Sequence, residues 1–337
     1  MPSCTLLFTI YNANGVNLGA WLAKERTHDP IWWVEVGEAN ALDEWTLCET
    51  LGRWCGPVLN SRYGSFLNFT TIDVLASVGV NTLRIPTTYA AWIKVPGSQF
   101  YSGYQVQFLD RIVTYAVQRY NMHIILGLHS LPGGYSPLGL DKFTISPPNE
   151  ASDTNLVSFG SPAGLTDKGA AWVNSLEQYL NGVLDGIKQV DPRIPMMLQD
   201  NFKGAEFWAS FYNETENIVI DSHVYYFASG EQTYANFINP AVCGQAQAIA
   251  QQTKFPNYIG EWSLQTEFNN TFAGRESVFN AERYAFNEYN SGSAFWTAVS
   301  YSTTPVAGQG TQRKYWSYVD LINQGVIKPV VSGQSYC

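Results

Sequence analysis

Short apolar runs alternate along this chain with longer segments whose apolar positions recur every three to four residues. The runs at 15–19, 81–86, 123–129, 143–146, 194–200, 217–225, 258–263 and 293–299 read as strands. They carry little polar alternation, as expected for strands covered on both faces. The segments 71–79, 106–120, 168–190, 204–212, 244–252, 276–289 and 311–323 read as helices. In 168–190, Trp172, Leu176, Tyr179, Val183 and Ile187 fall on one helical face. Strand and helix alternating in this way predict a parallel sheet under helical cover, and eight strands in one chain predict a closed (β/α)8 barrel. Nothing inside the chain marks a linker, so residues 1–337 are expected to form one domain.

Two stretches break the alternation. Residues 20–63 read as a long ordered loop containing Trp21, Trp32, Trp33, Trp45 and Trp54. Core packing and sugar contact are both open for these tryptophans. The connection 130–142 has 13 residues, with three glycines and two prolines. It can descend the barrel as extended chain but cannot also form a covering helix. The barrel is therefore expected to lack the helix between strands 3 and 4, leaving their outer faces poorly covered.

The ends of the strands hold the chemistry. Pro147 and Pro148 stop the fourth strand because neither offers an N–H to a ladder, and Asn149 and Glu150 follow directly. Another apolar run ends in Gly260 and Glu261. Strands 4 and 7 face each other across an eight-stranded barrel. Two glutamates at their tops match the need of glycoside hydrolysis for one carboxylic acid and one carboxylate. Arg84, His129, His223, Tyr225 and Trp296 end other strands and would converge on the same mouth. The bland alternatives are a salt-bridged rim for a lone glutamate and satisfied core positions for His129 and His223.

Composition narrows the partners. A formal charge of −9 and a pI near 4.9 exclude nucleic acid and anionic membrane surfaces as natural partners. The 11 Trp and 20 Tyr suit a carbohydrate, whose apolar C–H faces stack on aromatic rings. The chain contains no H-E-x-x-H, Cys/His cluster, G-x-S-x-G elbow or P-loop, so neither a metal nor another cofactor is expected. Three N-glycosylation sequons begin at Asn68, Asn213 and Asn269, and with Cys337 they lean towards secretion. Residues 1–14 are expected to be the remnant of a targeting segment, although they lack a basic start. No apolar run reaches the roughly 18 residues of a membrane span. Of the five cysteines, Cys243 with Cys337 is the preferred disulfide, and Cys48 with Cys55 is a second candidate.

These motifs together resemble glycoside hydrolase family 5, and within it the fungal exo-1,3-β-glucanases. The resemblance is carried by Gly15-Val-Asn-Leu-Gly-Ala-Trp21, Asp43-Glu-Trp-Thr-Leu-Cys-Glu49, Leu83-Arg84-Ile-Pro86, Leu128-His129-Ser-Leu-Pro-Gly-Gly134, Asn149-Glu150, Asp221-Ser-His223-Val-Tyr225, Gly260-Glu261-Trp-Ser263 and Phe295-Trp296. It runs from about Gly15 to Cys337. It implies a secreted or cell-wall enzyme, a monomer, that releases glucose with retention from the non-reducing end of β-1,3-glucans in fungal cell-wall metabolism. Glu150 would be the acid/base and Glu261 the nucleophile, with Arg84 holding the charge of Glu261 and Tyr225 donating a hydrogen bond to it. Asn149 would hold the sugar 2-hydroxyl and Trp296 would lie under the ring. His129 and His223 would complete the site.

The chain departs from the family in lacking the third helix, which suggests a skipped exon or gene-model error near Asp141, and in having Ala151 where many members have proline. The rival expectations are an endo-β-glucanase, mannanase or transglycosylase on the same barrel, and a non-catalytic wall-binding or inactive form.

Overall fold

The apolar runs form strands that all point the same way. A computed structural model of the chain describes residues 12–37, 41–130, 180–200, 202–228, 233–234, 238–329 and 334–337. In chain order the elements are β1 (Ala13–Asn17), α1 (Pro30–Gly37), α2 (Glu44–Leu51), α3 (Cys55–Phe66), α4 (Phe69–Ser77), β2 (Thr82–Thr87), α5 (Gln105–Tyr120) and β3 (His123–Leu128). After these come α6 (180–190), β4 (Met196–Gln199), α7 (Ala205–Ala209), β5 (Ile218–Val224) and α8 (Ile238–Ile249). The chain continues through β6 (Asn257–Trp262), α9 (Arg275–Tyr289), β7 (Gly292–Phe295), α10 (Arg313–Trp316) and α11 (Tyr318–Asn323).

The described strands pair in the order β3-β2-β1-β7-β6-β5-β4, all in parallel. Pairing of the first strand with the last described one curls the sheet round on itself. The fold is the α/β barrel that the alternation predicts. Its two described edges, β3 and β4, flank residues 131–179 in sequence. The strand expected at 143–146, the short 130–142 connection beyond Ser130, and the first part, 168–179, of the helix expected over 168–190 lie outside the described residues. Leu126 and Leu128 are 51% and 47% exposed on the same side of β3 as Ile124.

Inside the barrel the side chains stack in layers. Ala13, Val219, Tyr258 and Ala294 form an apolar floor, with Ile125 and Met197 beside it. The floor depends on Gly15, where a Cβ would stand 2.9 Å from the Tyr258 hydroxyl. Above it, Asn17, Arg84, Asp221 and Glu261 are all buried. The main apolar core lies outside the strands, where Val16, Leu83, Ile85, Ile259, Trp262 and Phe295 meet the helices.

The stretch 20–63 is not the loop that its composition suggested. It contains α1, α2 and most of α3. Pro30 opens α1, a position where its missing N–H costs nothing. Asp43 caps α2 by accepting from Thr46 N while the Thr46 hydroxyl accepts from Asp43 N. A Cys48–Cys55 disulfide joins α2 to α3. Trp21 and Trp33 are fully buried, with indole N–H groups donating to the carbonyls of Tyr63 and Ala41, so both are packing residues. The helix expected over 244–252 begins earlier, at Ile238, and that over 204–212 is shortened to Ala205–Ala209. The one over 311–323 is divided at Ser317. The preferred disulfide, Cys243–Cys337, ties the C-terminus to α8.

One irregularity sets the aim of the site. Between β5 and β6 the register runs Ser222 to Ile259 and then His223 to Glu261, leaving Gly260 as an extra residue. Strand side chains alternate between faces. Tyr258 faces the barrel interior and Ile259 the outer core, so unbroken alternation would turn Glu261 outward. The bulge at Gly260 turns Glu261 inward and Trp262 outward. Only glycine fits, because a Cβ at 260 would lie 1.9 Å from Asp221 Oδ1. Gly260→Ala is therefore expected to lower stability by about 1–3 kcal/mol or more. Gly182→Ala, in α6 with open space around it, is expected to be neutral or slightly stabilising. Urea denaturation of both variants beside the parent checks this.

Candidate active site

Arg84 is the centre of the constellation. It stands on β2 in register with Asn17 of β1. Its Nη1 donates to Asn17 Oδ1 and to Glu261 Oε1, both at 2.8 Å, and its Nη2 donates to Asp221 Oδ2 at 3.1 Å. Asn17 is held in turn, its Nδ2 donating to the carbonyls of Gly260, Ala294 and Phe295. The amide thus fastens β1 to β6 and β7 while its oxygen positions the guanidinium.

Glu261 is gripped through both oxygens. Opposite Arg84, its Oε2 accepts a 2.9 Å hydrogen bond from the Tyr225 hydroxyl, and His223 Nδ1 lies 3.3 Å from the same oxygen. Asp221, His223 and Tyr225 occur two apart at the end of β5, so one face of one strand delivers all three. Tyr225 is backed by Trp316, nearly parallel to it at 5.5 Å. The Trp316 indole donates to Gln265 Oε1.

The charges are interdependent. Burial disfavours the charged form of Arg84, but Asp221 and Glu261 more than offset it and raise its pKa. Burial also works against charge on Asp221, yet Arg84 and His223 hold its carboxyl below the usual range. His223 follows the same logic: burial opposes its protonation, Glu261 and Asp221 outweigh burial, and its pKa is raised. His129 goes the other way, well below 6.5, because burial and the positive charges of Arg84 and His223 all oppose protonation. At the end of β4, Asp200 is pushed up by burial, against hydrogen bonds from Ser222 Oγ and Phe202 N.

The aromatic wall is Trp296, just past β7. His129 lies parallel to its indole, with ring centroids 6.2 Å apart and planes 10° from parallel. The indole edge rests on Gly19, where a Cβ would come within 2.7 Å of it. The structure thus brings together six of the expected residues, Arg84, His129, His223, Tyr225, Glu261 and Trp296. Asn149 and Glu150 lie outside the described residues. Sequence reasoning passed over Asn17, Asp221, Trp316 and His28 as site residues. Asn17 and Asp221 stood inside quoted motifs, but nothing marked His28 or Trp316. Among the described residues no group of three or more His, Cys, Asp or Glu is arranged to hold a metal ion. A glutamate fixed by an arginine and a tyrosine beside an aromatic wall can present a carboxylate to a neutral, ring-shaped substrate.

No protein-family model matches the chain. The rutinosidase of Aspergillus niger is 37% identical, with 95% of this chain and 99% of that chain covered and a TM-score of 0.85. The chain belongs to glycoside hydrolase family 5. A family 5 endoglucanase of Ruminococcus champanellensis with bound cellotriose shares the fold at 13% identity and a TM-score of 0.58, covering 97% of this chain and 95% of that one. The probable glucan 1,3-beta-glucosidase A of Aspergillus niger is 28% identical over 280 residues, 74% of this chain. The match takes in 64% of that relative, less than two thirds of its length.

The electrostatics give a titration signature. His223 is expected to titrate above 6.5, and His28 and His129 to stay neutral at pH 5. Imidazole 15N shifts followed from pH 5 to 9 check this, with each histidine assigned by its Gln variant.

Proposed function

We propose that the chain is a retaining, exo-acting β-glucosidase that releases glucose from the non-reducing end of β-1,3-glucans. Glu261 is the nucleophile and Glu150 the acid/base. The observation that carries the reading is the double grip on Glu261, from Arg84 on one oxygen and Tyr225 on the other. A nucleophilic carboxylate must be charged and fixed before the sugar arrives, and an arginine on one oxygen with a tyrosine hydroxyl on the other supports that role. Glu261 attacks the anomeric carbon while Glu150 protonates the leaving oxygen. Glu150 then activates the water that cleaves the glycosyl ester, with the two carboxyl groups about 5–5.5 Å apart during the reaction. His129, His223 and Asn149 bind the sugar hydroxyls, and Trp296 lies along the ring. The name of the glucan 1,3-beta-glucosidase relatives supports the substrate class.

A second reading is favoured by the match to the Aspergillus niger rutinosidase, which is more identical and covers nearly all of both chains. On that reading the substrate is a rutinoside and the product its disaccharide. The chemistry at Glu261 is the same. Two disulfides and three sequons support action outside the cell, with residues 1–337 working as one domain.

Proton NMR of the purified chain with laminarin, and separately with a rutinoside, tests both readings. β-Glucose appearing first from laminarin supports the glucanase. The β-anomer of the disaccharide from the rutinoside alone supports the second reading. Glu261→Gln is expected to lower kcat by at least about 10³-fold on whichever substrate is cleaved. Turnover of neither substrate by folded protein overturns both readings.

A further inference from the structure

Trp296 carries an indole N–H that is buried and can only donate. Its acceptor is His28, whose Nε2 lies 2.9 Å from Trp296 Nε1. His28 stands in the segment between β1 and α1, is itself buried, and belongs to none of the motifs that pointed to the site. We propose that His28 is a positioning residue of the active site: as the neutral, Nδ1-protonated tautomer it accepts the Trp296 indole N–H and fixes the plane of the wall against which the sugar binds.

The tautomer follows from the partners. Because the indole offers a proton, Nε2 must present a lone pair. The ring proton is then on Nδ1, which lies 2.9 Å from Ser300 Oγ and donates to it. Ser300 Oγ also accepts from Ser302 N, so it is the receiving side of both bonds. Glu25 Oε2 stands 3.5 Å from Nε2, too far to compete with the indole. Burial and the neighbouring Lys24 lower the His28 pKa to about 3, so the acceptor persists at working pH. The same ring lies 5.7 Å from Trp316, which backs Tyr225 and through it Glu261. His28 therefore touches the supports of both the wall and the nucleophile, with no hydrogen bond or ion pair to Glu261 itself.

The inference rests on the reading of Trp296 as a sugar wall, and the test separates the two. His28→Leu removes the acceptor, and His28→Gln places a carboxamide oxygen near the position of Nε2. Intrinsic structure is followed by the indole 15N–1H resonance of Trp296, assigned by its loss in Trp296→Phe. The expected result is an upfield shift of this resonance in His28→Leu and its recovery in His28→Gln. On the substrate that the parent cleaves, KM is expected to rise about tenfold in His28→Leu, with kcat changed less than about threefold, and His28→Gln to recover most of the loss. Ser300→Ala, a milder change that leaves the acceptor in place but frees the ring, is expected to shift the resonance in the same direction by a smaller amount. A folded His28→Leu with unchanged resonance and unchanged KM overturns the proposal while leaving Glu261 as nucleophile intact. A shifted resonance with unchanged KM upholds the hydrogen bond but overturns the role in binding, and places the fault with the reading of Trp296. If His28→Leu does not fold, an unshifted resonance and an unchanged KM in a folded Ser300→Ala overturn the proposal.

Discussion

A guanidinium buried at the centre of a barrel must be matched by negative charge, and Arg84 decides where that charge lies. It takes Asp221 and Glu261 as partners and Asn17 as a neutral third. Removing Arg84 would leave two buried carboxylates facing each other, a loss of about 3–5 kcal/mol for a broken buried pair. The two carboxylates differ in use. Asp221 is enclosed and points to structure, whereas Glu261 faces Tyr225 and His223 at the mouth. One arginine therefore serves both the stability of the barrel and the charge of the proposed nucleophile. This is why the inner layer above Tyr258 is polar although it is buried.

The segment between β1 and β2 adds a second buried ionic group behind the wall. Lys24 is enclosed with its Nζ donating to the Ala20 carbonyl and lying over the rings of Trp32 and Phe66. Burial lowers its pKa to about 8 and raises that of Glu44, which accepts from Lys24 N, to about 7. Asp29 is held by Arg62 from α3. Exclusion of water, and after it the positive charge of Lys24, keep the neighbouring His28 neutral. The segment between β1 and α1 thus holds the wall from behind, and Trp32, Glu44 and Arg62 of α1–α3 hold its Lys24 and Asp29 in place.

Among the described residues, the strands and the residues at their ends were legible in the sequence because both follow short-range rules. Apolar runs are long enough to read, and in a parallel barrel the end of a run is the mouth. Arg84, Glu261 and Tyr225 could therefore be placed, and their contacts agree with the charge argument. The helices of 20–63 were not legible: buried Trp, Lys and Glu positions blur the polar face that a helical pattern needs, and the capping pair Asp43 and Thr46 is a weak mark within a stretch rich in tryptophan. His28 was hidden for a different reason. Its role comes from a contact with Trp296, 268 residues away, and no local pattern encodes such a pairing.

The places where local rules fail are the places where the site is made. Alternation along β6 would send Glu261 outward, and the extra Gly260 reverses it. Phe202 adopts a left-handed backbone at φ 56°, uncommon for a bulky residue, with its N–H tied to Asp200 Oδ1. Ala20, at φ 55°, turns the chain immediately after Gly19, on which the Trp296 indole rests. Each departure costs conformational energy, and each stands within a residue or two of a group in the site. A regular barrel with the same core would be easier to form, but its strands would present Trp262 where Glu261 now stands. The irregularities are the means by which an apolar scaffold turns a carboxylate inward and keeps it there.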